Sequence, residues 1–293
     1  MVRGEVQLDK LMDSFETYRP LMFSIAYRML GSAMEAEDIV QEAFLRYRSV
    51  PPESIESPRA FLSTMVTRLC INVLQSSRAK RETYIGPWLP EPILTGEGET
   101  PSPASTYESI SMAFLVLLES LTPVERAVFL LREVFDYEYA EIAEIVGKEE
   151  ATCRQLFSRA KKHIAEHRPR FKPSPDEHRQ ILERFGQAVG EGNLEGLIQM
   201  LADDVTMWAD GGGKTRGAAI HPLHGREAVA QFVLASVRFL GENASYKIET
   251  VNAEPAIVLR VGDQPFVVIS IGVEGNEIRQ IWVVGNPDKL KRV

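Results

Sequence analysis

LTPVERAVFLLREVFDYEYAEIAEIVGKEEATCRQLFSRAKKHIAEH, residues 121–167, holds three helical patterns whose spacing decides how the centre of the chain folds. Thr122, Pro123 and Glu125 supply an N-cap, a first-turn proline and a carboxylate that reaches back to the cap. A helix therefore starts at Pro123 and runs to about Val134, where Asp136 and Tyr137 end it. Residues 139–146 repeat small and branched apolar side chains at helical spacing, and Gly147 stands where a left-handed C-cap belongs. After this turn Cys153, Leu156, Phe157, Ala160 and Ile164 recur at i, i+3, i+4, i+7 and i+11, a stripe turned toward the two preceding helices. The opposite side carries Arg154, Gln155, Ser158 and Lys162, with Arg159 beside them, side chains suited to base edges and phosphates in a major groove. A lone basic helix reads more simply as a solvated surface helix. The glycine turn and the partner helix shift the reading to a helix-turn-helix.

The 293 residues leave room for two or three domains. No window is long and apolar enough to span a bilayer, and the opening MVRGE lacks an apolar signal core, so a cytoplasmic protein with no membrane partner is expected. Cys70 and Cys153 lie far apart at apolar helix positions and read as small buried hydrophobes rather than as a disulfide or metal pair. His163 and His167 lack a third ligand and read as cations at a helix C-terminus. Neither a metal nor a cofactor is expected. The net charge of -8 excludes a protein that coats nucleic acid indiscriminately, so local patches must do any binding.

In the first third, residues 8–30 read as a helix whose apolar stripes are interrupted near Pro20, and residues 33–47 as a second helix with Ala36, Ile39, Val40, Ala43, Phe44 and Tyr47 on one face. Its other face holds Asp38, Gln41, Glu42 and Leu45, an acidic strip ending in an exposed leucine. Such a strip suits a basic partner helix, although a solvated face has the same periodicity. Ser57 and Pro58 open a third helix that buries Phe61, Leu62, Met65, Val66, Leu69 and Val73. Its exposed stripe holds Arg68, Asn72 and Gln75, and Arg78, Lys80 and Arg81 continue a basic run. Amide and guanidinium groups of this kind read unstacked bases and hold a single strand; cations also suit a helix C-terminus.

Residues 84–105 have a linker composition, yet WLPEP at 88–92 sets two large apolar groups in a proline-stiffened segment, which is expected to dock. A second hinge covers 169–175. Ser174 and Glu177 then form a capping box for a helix through Val189, followed by a short helix at 194–201, a strand at 205–208 and a helix at 226–239. Strand-like runs follow at 244–251, 256–261, 266–271 and 278–284. Helices first and antiparallel strands after them define an α+β domain. Trp208, Asp210, Lys214, His221, His224 and Trp282 are its candidate pocket residues, and the DGGGK loop at 210–214 brings backbone amides close to an anion.

Residues 121–135 with 139–147 resemble the minus-thirty-five-reading domain of extracytoplasmic-function sigma factors, with departures at Lys148, Glu149 and Leu156 that bear on which bases are read. AEDIVQEAFL at 36–45 resembles the segment by which that family grips the clamp helices of RNA polymerase. The resemblance implies that Asp38, Gln41, Glu42 and Leu45 contact core polymerase. It also implies that Arg68, Asn72, Gln75, Arg78, Lys80 and Arg81 engage the minus-ten element, and that Thr152, Arg154, Gln155, Ser158, Arg159 and Lys162 engage the minus-thirty-five element. The last domain resembles the SnoaL-like, NTF2-type cone fold, some of whose members use a pocket Asp or His as a general base. Fold analogy is weak warrant for chemistry, and no catalytic residue is assigned.

WLPEP, DGGGK and NPDKL at 286–290 together resemble the subgroup of these sigma factors that carries a fused SnoaL-like extension acting in cis. That implies a regulatory contact among Trp88, Leu89, Asp210, Gly212, Lys214, Asn286 and Asp288, with Trp88 and Leu89 docked near the 210–214 loop. The expected chain is multidomain, two all-α helical sigma domains followed by an α+β cone domain: 1–83, a linker 84–105, 106–168, a hinge 169–175 and 176–293. Its expected function is promoter-directed transcription initiation without enzymatic activity. Bacterial core RNA polymerase and promoter DNA are the expected partners, and an unidentified small-molecule ligand of the last domain is left open. A free-standing DNA-binding regulator, and a DNA-binding regulator fused to a small-molecule-binding or isomerase-like enzyme domain, are the alternatives.

Overall fold

Helix boundaries follow the caps that the sequence supplies. The computed structural model describes residues 2–96, 110–167, 173–240 and 243–293, with side chains throughout except at 2–11, 77–82 and 239. The described residues fall into two compact units, one drawn from Met1–Ala79 and Leu117–His167, the other from Lys80–Thr100, Ile110–Val116 and Arg168–Val293.

The first unit opens with α1 (Val2–Leu30), α2 (Ala33–Tyr47) and α3 (Pro58–Glu82). As the reading of residues 8–30 expects, α1 is one helix, and Pro20 stands inside it. An interior proline costs about 3 kcal/mol. Phe15 on one side of it and Met22, Ile25 and Met29 on the other are all buried, and their burial outweighs that cost. Ser32 starts α2 by accepting from the Glu35 N–H. In α3 Leu62, Val66 and Leu69 are buried, while Phe61, Met65 and Val73 are half-buried.

Four further helices follow: α4 (Met112–Glu119), α5 (Pro123–Glu133), α6 (Tyr139–Val146) and α7 (Glu150–His167). Reciprocal capping boxes open α5 at Thr122 and Glu125 and α6 at Glu138 and Glu141. Gly147 closes α6 at φ 65°, a left-handed conformation that strains any residue with a Cβ. The sequence reading omits α4 because MAFLVLLE is apolar nearly all round and shows no helical alternation.

Within this unit α1–α3 and α5–α7 meet through arginines that cap each other's helices. Arg126 of α5 is 3% exposed and donates to the Met29 carbonyl at the end of α1 (2.6 Å) and to Glu119 (2.7 Å). Arg68 of α3 donates to the carbonyls of Glu144 (2.8 Å) and Ile145 (2.9 Å) at the end of α6. The last carbonyls of a helix lack intrahelical partners, and the dipole makes that end attractive to a cation. The Tyr137 hydroxyl donates to Ser63 Oγ (2.6 Å), and Arg28 and Arg59 stand over the rings of Phe135 and Tyr137. Burial pushes the pKa of Arg28 and of Arg126 down to about 10, so both still carry their charge at neutral pH.

The second unit contains α8 (Pro175–Gly190), α9 (Leu194–Met200), β1 (Leu201–Asp210), β2 (Leu223–His224), α10 (Arg226–Ser236), β3 (Ala244–Val251), β4 (Glu254–Val261), β5 (Gln264–Glu274) and β6 (Glu277–Val284). The sheet order is β2-β1-β6-β5-β4-β3. It is mixed rather than wholly antiparallel, because β1 pairs parallel to β6. Periodicity identifies strands but carries no information on which strand closes beside the first. The strands also outrun their apolar runs. Two-residue turns, with Asn252 and Ala253 at φ 52° and 58°, hold register up to the hairpin tips, so polar residues there still pair.

Two apolar layers sandwich the sheet. On one face Phe185, Leu182, Leu197 and Val229 of the helices pack against Met207, Ile271 and Ile281. On the other, Val258, Val268, Trp282 and Val284 are covered by Leu89, Met112 and Leu290. This is the cone-like α+β domain expected. The described part of the stretch with linker composition, residues 84–96, lies against it. The Thr95 N–H donates to the Thr250 carbonyl and the Asn252 N–H to the Ile93 carbonyl, both at 2.9 Å, so residues 93–95 extend the sheet at the β3 edge. Pairing of this kind blunts an open edge. No described helix is long and apolar enough to cross a membrane.

Replacing Arg126 with Ala should remove the buried donor to the Met29 carbonyl and the ion pair with the half-buried Glu119. The expected loss is about 1.5–3 kcal/mol of stability in urea unfolding of the whole chain, the range for a hydrogen bond to a charged group; an unchanged midpoint would show that the two helical lobes do not depend on it.

Candidate functional site

The α6–turn–α7 geometry sets one face of α7 inward and the other to solvent. Cys153, Ala160 and Ile164 are buried, and Phe157 stacks on Phe129 with ring centroids 6.0 Å apart. Arg154, Gln155, Ser158, Arg159 and Lys162 are exposed, with Thr152 half-buried at the start of the helix. Arg154 is pre-positioned: it pairs with Glu150, and its guanidinium lies 4.3 Å from the Tyr139 ring centroid.

On α2, Asp38 and Gln41 are exposed, Leu45 is 60% exposed, and Glu42 pairs with Arg46 at 2.7 Å. Met34 is half exposed as well and was not singled out by the sequence reading. Its signal was available, because Met34, Asp38, Gln41 and Leu45 fall at i, i+4, i+7 and i+11 on one stripe. Met34 and Leu45 are thus exposed on one stripe with Asp38 and Gln41 between them. On α3, Asn72 and Gln75 are exposed, whereas Arg68 is committed to the end of α6. The side chains of Arg78, Lys80 and Arg81 lie outside the described residues.

In the second unit the seven residues of the expected regulatory contact meet around one carboxylate. Asp210, fully buried at the end of β1, accepts from the Tyr84 hydroxyl (2.5 Å), Lys289 Nζ (2.7 Å), the Leu89 N–H (2.8 Å) and the Gly212 N–H (3.1 Å). Lys289 also donates to the Leu89 carbonyl, and its ammonium sits 4.0 Å from the Trp88 ring centroid. Asn286 donates to the Tyr84 hydroxyl (2.8 Å) and caps Asp288, which pairs with Lys214 at the surface. Gly212, at φ 57°, has no room for a side chain, since a Cβ there would come within 2.3 Å of Asn286 Nδ2. Tyr84 and Lys289 complete the cluster and were not picked out beforehand, although Lys289 sits inside the NPDKL motif.

The expected pocket set separates. Beside the sheet lies a cavity of about 220 Å³, and of the six candidates only Asp210 borders it. Side-chain alternation explains the difference: Val205, Met207 and Ala209 take one face of β1, and Thr206, Trp208 and Asp210 the other. Trp208 and Trp282 stack with centroids 6.2 Å apart in the layer that holds Leu89. His224 bonds Thr206, while His221 and Lys214 are exposed. No group of three metal-ligating side chains occurs among the described residues.

A helix-turn-helix lobe beside a helical lobe with an exposed acidic and apolar stripe defines a transcription factor of the sigma-70 class. Residues 14–80 match the Sigma-70 region 2 family and residues 111–164 the Sigma-70, region 4 family. The chain is 36% identical to the ECF RNA polymerase sigma factor SigJ of Mycobacterium tuberculosis, over 94% of this chain and 92% of that one. It is 29% identical to a probable ECF RNA polymerase sigma factor of the same species, SigI, with 97% and 96% covered. The crystal structure of SigJ superposes with a TM-score of 0.75 at 33% identity, covering 95% of this chain and 97% of that one. The chain therefore belongs to the ECF family of RNA polymerase sigma factors, and it directs promoter-specific transcription initiation.

The cluster has a pH signature. Burial, and then the hydrogen bond to Asp210, raise the Tyr84 pKa well above its ordinary value of 10.0. A raised pKa contributes stability that is complete below the ordinary value and fades as pH rises through the folded one. Stability should therefore decline above pH 10, and Tyr84→Phe should remove that part of the decline; tyrosinate absorbance during an alkaline titration reads the ionisation directly.

Proposed function

We propose that the fused C-terminal domain governs initiation in cis by holding the segment that joins the two helical lobes. The observation that carries this reading is the Asp210 cluster, which fastens residues 84–95, the chain between α3 and α4, to β1, β3 and the C-terminal turn. A chain spans at most about 3.3–3.6 Å per residue, so freeing those residues lengthens the tether between the lobes by roughly 40 Å. Holding or freeing the segment thus sets how far apart the two DNA-reading faces can work. The domain acts by holding rather than by turnover, since four donors occupy the one carboxylate beside its cavity.

In this reading the α2 stripe of Asp38, Gln41, Glu42 and Leu45 contacts core polymerase, with Met34 added to it. Asn72, Gln75, Arg78, Lys80 and Arg81 engage the opened minus-ten strand, and Arg68 joins them once it leaves the end of α6. The exposed face of α7, from Thr152 to Lys162, reads the minus-thirty-five element.

Reconstituted transcription with core polymerase tests each part. Asp38→Lys with Glu42→Lys should abolish initiation with the fold intact. Arg154→Ala should weaken reading of the upstream element by about 1–3 kcal/mol if its contact is bidentate, and a premelted template should not rescue it. Trp88→Ala and Lys289→Met should change promoter output while leaving binding to core polymerase unaltered; wild-type output from both would remove the segment from the regulatory account.

A further inference from the structure

The C-terminal domain holds a cavity beside the Asp210 cluster, and the chemistry of its lining is specific. Its volume is about 220 Å³. Phe185, Met207, Phe232, Ile257, Phe266 and Val283 give it an almost wholly apolar wall. An apolar cavity of about 150 Å³ already stays dry and takes up benzene, so this one is large enough to favour an organic guest over water. At the packing density of protein interiors it holds roughly ten to twelve non-hydrogen atoms.

Of the cavity's polar lining groups, Arg216 and Ser245 are exposed and Asp210 is buried. Arg216 borders the cavity, is exposed, and makes no hydrogen bond or ion pair among the described residues. Ser236 and Ser245 border it too. Asp210 does not oppose Arg216 electrostatically, because Lys289 neutralises its charge. The α8 side of the wall is Phe185, Gly186, Val189 and Gly190, with glycines at i and i+4. Tyr246 lies over Gly186, where a Cβ would approach its ring to 3.0 Å, whereas a Cβ on Gly190 would meet no atom within 4 Å. The wall is thus closed by an aromatic ring at one glycine and open at the other.

We propose that this cavity is a binding site for a small amphipathic organic anion, an acyl or aryl carboxylate whose apolar body fills the cavity and whose head group meets Arg216. The cavity and the Asp210 cluster share structure: Ala209 and Gly285 line the cavity, the Gly285 N–H donates to the Asp210 carbonyl (2.8 Å), and Thr215, also in the wall, donates to the Gly285 carbonyl (2.5 Å). A guest therefore presses on the strand ends that hold residues 84–95. That consequence for transcription rests on the regulatory reading above; the binding itself does not.

Isothermal titration calorimetry of the full chain tests it with octanoate, 2-naphthoate and the uncharged 1-octanol. Saturable binding of one equivalent is expected for at least one of the two carboxylates, and which of them binds separates an acyl from an aryl source. Octanol should bind at least about tenfold more weakly than the preferred carboxylate, and Arg216→Ala should weaken the carboxylate by a similar factor without affecting octanol. Gly190→Leu should abolish binding while circular dichroism and the thermal midpoint stay unchanged, and Val233→Trp provides a second way to fill the cavity. No saturable carboxylate binding, or binding that survives both filling variants, overturns the site. Equal affinity for octanol, or indifference to Arg216→Ala, overturns the anionic class. Promoter output measured with the bound carboxylate reports separately on the regulatory reading, so a silent promoter with intact binding leaves the site standing.

Discussion

Everything in the helical half depends on two arginines that each finish the other lobe's helix. Arg126 satisfies a carbonyl at the end of α1, and Arg68 satisfies two at the end of α6. A guanidinium is a planar fork that keeps its charge even when buried, so it suits a site where several fixed acceptors converge. The two contacts differ in kind. Arg126 is 3% exposed, and its loss would take a buried donor from the Met29 carbonyl, whereas Arg68 is open to solvent on one side. A phosphate competing for Arg68 can win where one competing for Arg126 cannot. The pairing is therefore firm at its core and exchangeable at its edge.

The helical half was largely legible in the sequence because its signals are local. Thr122, Glu125 and Gly147 act within four residues of themselves, and the caps form where those residues stand. Pro20 opposes its helix locally, and the burial of Phe15 and Met22 that overrides it is a tertiary effect. Met112–Glu119 escaped notice because a helix buried nearly all round has no polar face to betray its period. In the sheet, strands were legible and pairing was not. The error over Trp208 and Trp282 is one of parity, since neighbouring residues on a strand face opposite ways and composition alone does not say which way is inward.

The Asp210 cluster shows what the motifs could and could not carry. WLPEP, DGGGK and NPDKL lie far apart in the chain and share no periodicity, so their meeting was legible only through resemblance. The physical reason they meet is that a buried carboxylate needs donors on every side. Asp210 finds a hydroxyl, two backbone amides and an ammonium, and no one of the three segments provides them all. Such a network contributes little net stability compared with an apolar plug of the same shape. It specifies instead one partner, in one register, which a greasy contact between Leu89 and the sheet would leave loose.

The second face of the sheet has a consequence for anyone who shortens this chain. Leu89, Met112, Ala113 and Val116 precede the C-terminal domain in sequence, yet they complete its outer apolar layer together with Leu290. A protein cut before α8 is not the same factor with a regulator subtracted. It retains four oily side chains whose covering has been removed, and water drives such surfaces together. Clumping, chaperone capture or proteolysis of the shortened chain would then lower its output for reasons of colloid chemistry, and loss of a control element would be credited with what is only loss of solubility.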